Sequence, residues 1–249
     1  MISVLIITKN EQSNIEDCLK SVLWASEIII LDSGSSDDTK NISTKYTKNF
    51  HTNTDWQGFG IQKQRALEFA NEDWVLFLDA DERVSDELRD EILQKVQSSL
   101  NNDINGYFIP RLSNYLGKDI YHCGWYPDYT LRLAKRSKCK FSTDIVHERM
   151  ILDGCSAKLK NYLKHIPYKS ISHHLLKIDF YTSLSAEKKF LLARRISWNR
   201  IFINAFFAFF RTYFLKKGFL DGWRGLIISI SSGFTVYIKY LKLMEKNIK

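Results

Sequence analysis

Along the first hundred residues, short apolar runs alternate with segments whose apolar positions recur at helical spacing. Ser3–Thr8 is an apolar, β-rich run, and a helix opening at Asn10-Glu11 carries Ile15, Leu19 and Val22 on one face. Glu27–Leu31 reads as a second buried strand. It ends in Asp32-Ser33-Gly34-Ser35-Ser36-Asp37-Asp38-Thr39, which is turn and N-cap chemistry, and a helix follows to about Lys45. Gln57–Ala70 predicts another helix, and Trp74–Leu78 another strand. Strands separated by helices in this way predict βαβ units and a mostly parallel sheet. Ligands of such sheets bind beyond the carboxyl ends of the strands. Three polar clusters fall there: Thr8–Glu11, Asp32–Thr39 and Asp79–Glu82.

From about Gly106 the pattern changes. Tyr107–Leu112 and Tyr129–Ala134 predict strands around a loop with Gly117, Gly124 and Pro127, and Val146–Met150 predicts a shorter one. From about Asp179 onward the chain is helical, aromatic and basic. The expected organisation is a catalytic domain over 1–178 and a helical extension over 179–249. In that extension Ile201–Phe210 and Gly225–Ile238 are apolar, flanked by Arg200, Arg211, Lys216, Lys217, Lys239 and Lys242. Neither apolar run approaches the roughly 20 residues that cross a bilayer as a helix. Apolar helices rimmed by cations suit an anionic membrane surface, and the same pattern is met by two core helices packed on the catalytic domain.

Composition sharpens this division. The 249 residues carry a net charge of +8, but residues 1–100 hold ten Lys and Arg against eighteen Asp and Glu. The basic excess therefore belongs wholly to the remainder, which could face anionic lipid, an anionic glycolipid or nucleic acid. Cys18, Cys123, Cys139 and Cys155 are scattered without a C-x-x-C pair, which argues against a zinc site and fits a reducing compartment. The short run Ile2–Ile7 reads as a strand rather than a signal peptide, so a cytoplasmic location is expected.

The strongest local chemistry is Val75-Leu76-Phe77-Leu78-Asp79-Ala80-Asp81-Glu82, where an apolar strand delivers two carboxylates spaced i, i+2 at its carboxyl end. Oxygen ligands so placed suit Mg²⁺ or Mn²⁺, which bind through one or two carboxylates together with substrate phosphates. The same run can instead cap a helix beginning near Asp86. Asp32 could accept from a nucleobase N–H or a ribose hydroxyl, with Gly34 allowing close backbone approach, and Asp37 or Thr39 suits an Asx-turn or N-cap. No G-x-G-x-x-G follows the first strand and no P-loop is present, which disfavours dinucleotide and P-loop chemistry.

The set Thr8-Lys9-Asn10-Glu11, Asp32–Thr39 and Leu78-Asp79-Ala80-Asp81-Glu82 resembles the inverting family 2 glycosyltransferases of GT-A fold. The likeness continues through Gly58–Ala66, Gly124–Leu133, Val146-His147-Glu148 and Gly218–Gly222. That fuller set resembles the bacterial lipopolysaccharide inner-core β-1,4-glucosyltransferases, which glucosylate a heptose. The resemblance implies a UDP-sugar donor, with Thr8, Asn10, Glu11, Asp32, Gly34, Arg65 and Asp79 in the donor site. It implies a metal on Asp81 and Asp79; of His147, His165, His173 and His174, any of which could be structural or supply a further ligand late in the chain, His165 is the choice. The acceptor it implies is a lipid-linked saccharide, met at the cytoplasmic face of the inner membrane.

Inversion requires one general base on the acceptor hydroxyl. Glu148 is the preferred base and Asp128, among Trp125, Tyr126 and Tyr129, the acceptor contact; the opposite assignment stays open. Transfer to a polyprenyl-linked or capsular glycan is the alternative within this class. Nucleotidyl transfer would want a Gly-rich basic loop after the first strand, which Thr8-Lys9-Asn10-Glu11 is not. Nucleic-acid binding through the basic half is a further rival, with no nucleic-acid partner expected on the preferred reading.

Overall fold

A computed structural model describes residues 1–98, 103–142, 149–193 and 196–248. Two compact units emerge: residues 1–111 with 128–165, and residues 112–127 with 166–249.

The first unit opens with β1 (Ile2–Thr8), α1 (Ile15–Lys20), β2 (Glu27–Asp32), α2 (Thr39–Ser43), β3 (Asn49–Thr52), α3 (Phe59–Glu68) and β4 (Trp74–Asp79). β5 (Glu82–Val84) and α4 (Asp86–Ser98) follow. β6 (Ile104–Tyr115) runs on into the second unit, where β7 (Lys118–Asp119) pairs with it. β8 (Asp128–Lys135), β9 (Cys139–Phe141), β10 (Met150–Leu152), β11 (Cys155–Lys158) and β12 (Leu163–Tyr168) complete the strands. The main sheet has the order β3-β2-β1-β4-β8-β6-β12-β5.

β1 lies between β2 and β4, parallel to both, and β3 is parallel to β2. Beyond β4 the sheet turns antiparallel: β8 runs against β4, β6 against β8 and β5 against β12. The sheet therefore has a parallel half and a mainly antiparallel half, in which β11 runs parallel to β6. Because β1 and β4 are covered on both faces they read as continuous apolar runs. Val4, Ile6, Ile30, Leu76 and Leu78 pack on one face with Ile15 and Leu19 of α1 and with Leu88 and Ile92 of α4. Leu5, Ile29, Leu31, Val75 and Phe77 pack on the other with Ala66 and Leu67 of α3.

Three boundaries differ from the sequence reading. The helix expected from Asn10 begins only at Ile15, because Asn10 takes the left-handed backbone, φ 56°, which no α-helix continues through. Residues Glu82–Val84 form a strand, so Asp79–Glu82 does not cap the next helix; Ser85 Oγ accepts from Leu88 N at 3.3 Å at its start. β3 was not expected, since Asn49-Phe50-His51-Thr52 has neither alternation nor a buried run. Residues 146–148 of the predicted strand Val146–Met150, Glu148 included, lie outside the described residues.

In the second unit α5 (Ile171–Leu191) starts on Ser170, whose side chain accepts from His173 N, and α6 (Trp198–Phe210) and α7 (Trp223–Ile248) follow. The boundary expected at 178/179 falls within α5. The run Gly225–Ile238 is extended at both ends into the 26 residues of α7, a helix long and apolar enough, by length and composition, to cross a membrane. The sequence reading measured the apolar run alone and so missed this length.

Candidate active site

Pairing register brings the polar clusters to one edge. Thr8 stands opposite Asp32 across β1 and β2, and Ile7 opposite Asp79 across β1 and β4. Since all three strands are parallel, the loops that follow them leave from the same side of the sheet.

The loops after β1 and β2 are laced together. Asp32, 3% exposed, accepts from Thr8 Oγ1 at 3.0 Å and from the Ser35 hydroxyl on one oxygen. Its other oxygen accepts from Gly34 N at 2.9 Å and Ser35 N at 2.7 Å. Those bonds meet the roughly four lone-pair sites of a carboxylate. Ser35 Oγ in turn accepts from Asn10 N at 2.8 Å, and Asn10 Oδ1 accepts from Ser36 N at 2.8 Å. Glu11 N donates to Thr39 Oγ1 at 2.8 Å, while Glu11 Oε2 accepts from Asn14 Nδ2 at 2.7 Å. Asp37 closes the expected Asx-turn by accepting from Thr39 N at 3.1 Å. Gly34 has φ 85°, and a Cβ there would lie 3.0 Å from Thr54 Cγ2, so both backbone and space call for glycine. Asp32 and its neighbours thus build the loop pair. Arg65 of α3 donates through its guanidinium to Asp55 O at 2.5 Å and to Asp55 Oδ2 at 2.7 Å.

At the end of β4 a chain of alternating charges runs through the first unit. Arg132 Nη2 lies 2.5 Å from both Asp79 Oδ2 and Glu82 Oε1. Arg111 Nη1 stands 3.5 Å from Glu82 Oε1, and its Nε donates to Asp128 Oδ2 at 3.0 Å. Lys63 Nζ of α3 approaches Asp79 Oδ1 at 3.6 Å, and Asp79 N donates to Glu82 Oε2 at 2.9 Å. Glu82 is fully buried and Arg132 6% exposed, so each charge depends on its partners. Burial opposes ionisation of Asp79, but Arg132 and Lys63 outweigh it and hold the carboxyl far below the usual range. Burial, opposed by Arg132 and reinforced by Asp79, pushes Glu82 up. Arg132 is held firmly cationic, since its two carboxylates overcome the cost of burial.

Asp81 points elsewhere. Its Oδ2 lies 3.7 Å from His165 Nε2 on β12, which pairs with β5 so that His165 stands opposite Glu82. Carboxylate oxygen and imidazole nitrogen are a donor pair for Mn²⁺-like or Mg²⁺-like ions, short of a complete shell. Among the described residues no group of three or more His, Cys, Asp or Glu could hold a metal unaided. Asp79, taken up by Arg132 and Lys63, is the less available of the two aspartates.

Asp79, Asp81, Asp128 and His165 belong to the first unit, as do Thr8, Asn10, Glu11, Asp32, Gly34 and Arg65, while Glu148 lies outside the described residues. Arg132, Arg111 and Lys63 were not singled out as site residues from sequence. For Arg132 a signal was present, since an arginine set between Leu131 and Leu133 needs a partner if the strand is buried; Arg111 and Lys63 carried none.

A half-parallel sheet whose strand ends gather carboxylates in this way is the GT-A-like architecture of nucleotide-sugar transferases. Residues 3–153 match the family described as "Glycosyl transferase family 2", and the chain belongs to that family. An uncharacterized glycosyltransferase of Rickettsia typhi is 29% identical over all of this chain and 88% of its own length. A lipopolysaccharide core biosynthesis glycosyltransferase, LpsC, of Rhizobium meliloti is 25% identical over 99% of this chain and 96% of its own. Among solved structures, residues 1–349 of TarS from S. aureus, in complex with UDP-GlcNAc, share the fold at TM-score 0.52 and 15% identity, covering 99% of this chain and 91% of that one. The mannosyltransferase PcManGT of Pyrobaculum calidifontis, with GDP-Man and Mn²⁺, does so at TM-score 0.56 and 12% identity, over 98% and 87%.

Proposed function

We propose that the protein transfers a hexose, glucose being the expected one, from a UDP-sugar with inversion to a lipid-linked saccharide at the cytoplasmic face of a membrane. The heptose of a lipopolysaccharide inner core is the acceptor proposed. The observation that carries the reading is that the ends of β1, β2 and β4 come to one edge of the sheet, with Thr8 opposite Asp32 and Ile7 opposite Asp79, where Asp81 meets His165 and Arg132, Glu82 and Arg111 link Asp79 to Asp128. The full-length relative named for lipopolysaccharide core biosynthesis supports the acceptor class, and the UDP-GlcNAc complex of TarS supports the donor class.

Donor binding falls to the laced loops. Asp32 acts by holding Gly34, Ser35 and Thr8 in place, and Asn10 and Glu11 keep the first loop against the second. Mg²⁺ or Mn²⁺ would be held by Asp81 and His165 with diphosphate oxygens, and would offset charge on the departing diphosphate. Asp79 stays ionised and positions Arg132. Asp128 takes the proton of the acceptor hydroxyl, because its side chain is 44% exposed and open to an acceptor, with the Arg111 guanidinium orienting it. Glu148 is the competing base.

A donor screen tests this reading. The protein is incubated with individual UDP-sugars and with GDP-mannose, in Mn²⁺ or Mg²⁺, and nucleoside diphosphate release is measured. UDP release that rises with a heptose-containing lipid acceptor is the expected result. Release from no donor would overturn it.

A further inference from the structure

The second unit leaves an aromatic face uncovered. Phe202, Phe206 and Phe210 stand on α6 at 55%, 67% and 38% exposure, Leu215 follows at 62%, and on α7 Trp223 and Ile230 are exposed at 53% and 54%. Residues 202, 206 and 210 recur every fourth position, so they form one stripe, and the rings of Phe206 and Phe210 stack 6.4 Å apart. An exposed apolar patch of this extent marks an interaction surface. Its surroundings identify the partner. Between residues 198 and 244 the sequence holds seven Lys and Arg and a single acid, Asp221. That acid is 3% exposed and bonded to His122, so every exposed charge on this stretch is positive. Aromatic residues rimmed only by cations complement an anionic lipid surface.

Anchoring of α7 sets the mode of contact. Near its start Arg224 donates to Leu116 O at 3.0 and 2.7 Å. Near its end Lys242 Nζ donates to Asp179 Oδ1 at 2.7 Å and to Thr182 Oγ1 at 2.9 Å on α5. Between them Gly233 lets α6 come close, since a Cβ there would lie 2.9 Å from Ala205 O. A helix tied to its own unit at both ends and through its middle offers one face to lipid, not its whole circumference.

We propose that this face seats in the interface of an anionic bilayer, with α6 and α7 lying in the membrane plane and α7 not crossing it. The proposal deepens the reading of a lipid-linked acceptor and rests on it for its biological sense. The seated segment also holds the loop before Asp128. Asp221 accepts from His122 N at 3.0 Å and lies 3.1 Å from His122 Nδ1, and Cys123 N donates to Lys216 O at 2.9 Å. That clamp accounts for residues 112–127 belonging to the second unit.

The test uses the full chain and vesicles of phosphatidylethanolamine with phosphatidylglycerol, against vesicles of phosphatidylcholine alone. Wild type should sediment with the anionic vesicles and be released by alkaline carbonate. Phe206→Ser/Phe210→Ser should weaken that partition by at least about ten-fold. Lys216→Gln/Lys217→Gln should bring it toward the level on phosphatidylcholine. Leu215→Ser/Ile230→Ser serves as a second apolar pair should the first misfold by circular dichroism. Absence of vesicle binding, binding unchanged by both apolar pairs, or resistance to carbonate would each overturn the proposal. UDP release is measured on the same preparations. A protein that turns over donor but ignores vesicles loses only this surface, and one that binds vesicles but turns over no donor loses only the catalytic reading.

Discussion

The two compact units handle their difficult groups in opposite ways. In the first, charge is drawn inward: Asp79, Glu82, Arg132, Arg111 and Asp128 form one alternating chain in which Glu82 is fully buried. In the second, apolar side chains are turned outward and the cations lie at their margins. Each arrangement is costly in an isolated soluble domain, because buried charges lose hydration and exposed aromatics order water. The lesson is that the first unit meets its cost with its own partners, each buried charge facing an opposite one, while the second leaves its cost unmet within the chain. On the proposed readings, a donor diphosphate with its cation would bind beside the first arrangement and an anionic surface would cover the second.

The largest effect is expected from breaking the inward chain. Arg132→Met keeps bulk but strips Glu82 and Asp79 of their shared cation, so stability should fall by about 3–5 kcal/mol. Denaturant midpoints check this, and adding Glu82→Gln to the variant should recover part of the loss. If Arg132→Met is as stable as wild type, the first unit does not depend on its buried charge and the contrast fails.

Asp81→Asn comes next. Folding should survive, because Asp81 faces His165 and stands outside the buried chain. Losing several kcal/mol of charge stabilisation should lower turnover by about 10³-fold. UDP release measured with and without EDTA checks this, and full wild-type activity in EDTA would remove the cation from the first unit.

The base assignment is tested by Asp128→Asn and Glu148→Gln. Loss of general-base help costs about 10²–10⁴ in rate, so Asp128→Asn should lower kcat by at least ~100-fold with donor affinity nearly intact. Glu148→Gln should then act mainly on acceptor KM. The reverse pattern would give Glu148 the base role and leave Asp128 as the acceptor contact.

The smallest effect is one of pH on the second unit. His174 lies on α5, with Tyr115 Oη 2.9 Å from its Nδ1. Burial, helped by Lys177 and His173, holds its pKa below the ordinary 6.5. The unfolded chain therefore binds this proton more tightly than the folded one. Stability should be full above about pH 6.5 and decline as pH falls through the folded value. Thermal melts at successive pH values should show that slope, and His174→Gln should flatten it. A wild-type melt that does not change on acidification would remove His174 from the account.

How much of this was legible in the chain follows from what each part depends on. Local pattern determined β1, β2, β4 and the helices between them, because a strand covered on both faces is a continuous apolar run wherever it occurs. It also determined the three polar clusters at the strand ends, since parallel connections leave from one side, and with them the family. The sequence offered His165 only as one of several histidines that could be structural or supply a further ligand; pairing of β12 with β5, which sets His165 opposite Glu82, brings it within 3.7 Å of Asp81. Asp32 looked like a free carboxylate for a ligand; folding spends its oxygens on Thr8, Gly34 and Ser35, bonds that depend on the register of β1 with β2. Arg132 and Arg111 became site residues only when β8 was laid beside β4 and β6 beside β8, since a buried charge is defined by partners that adjacent residues do not supply. The aromatic run at Ile201–Phe210 likewise reads the same in a core as on a surface. Tertiary packing decided which, because exposure depends on what the rest of the chain leaves uncovered.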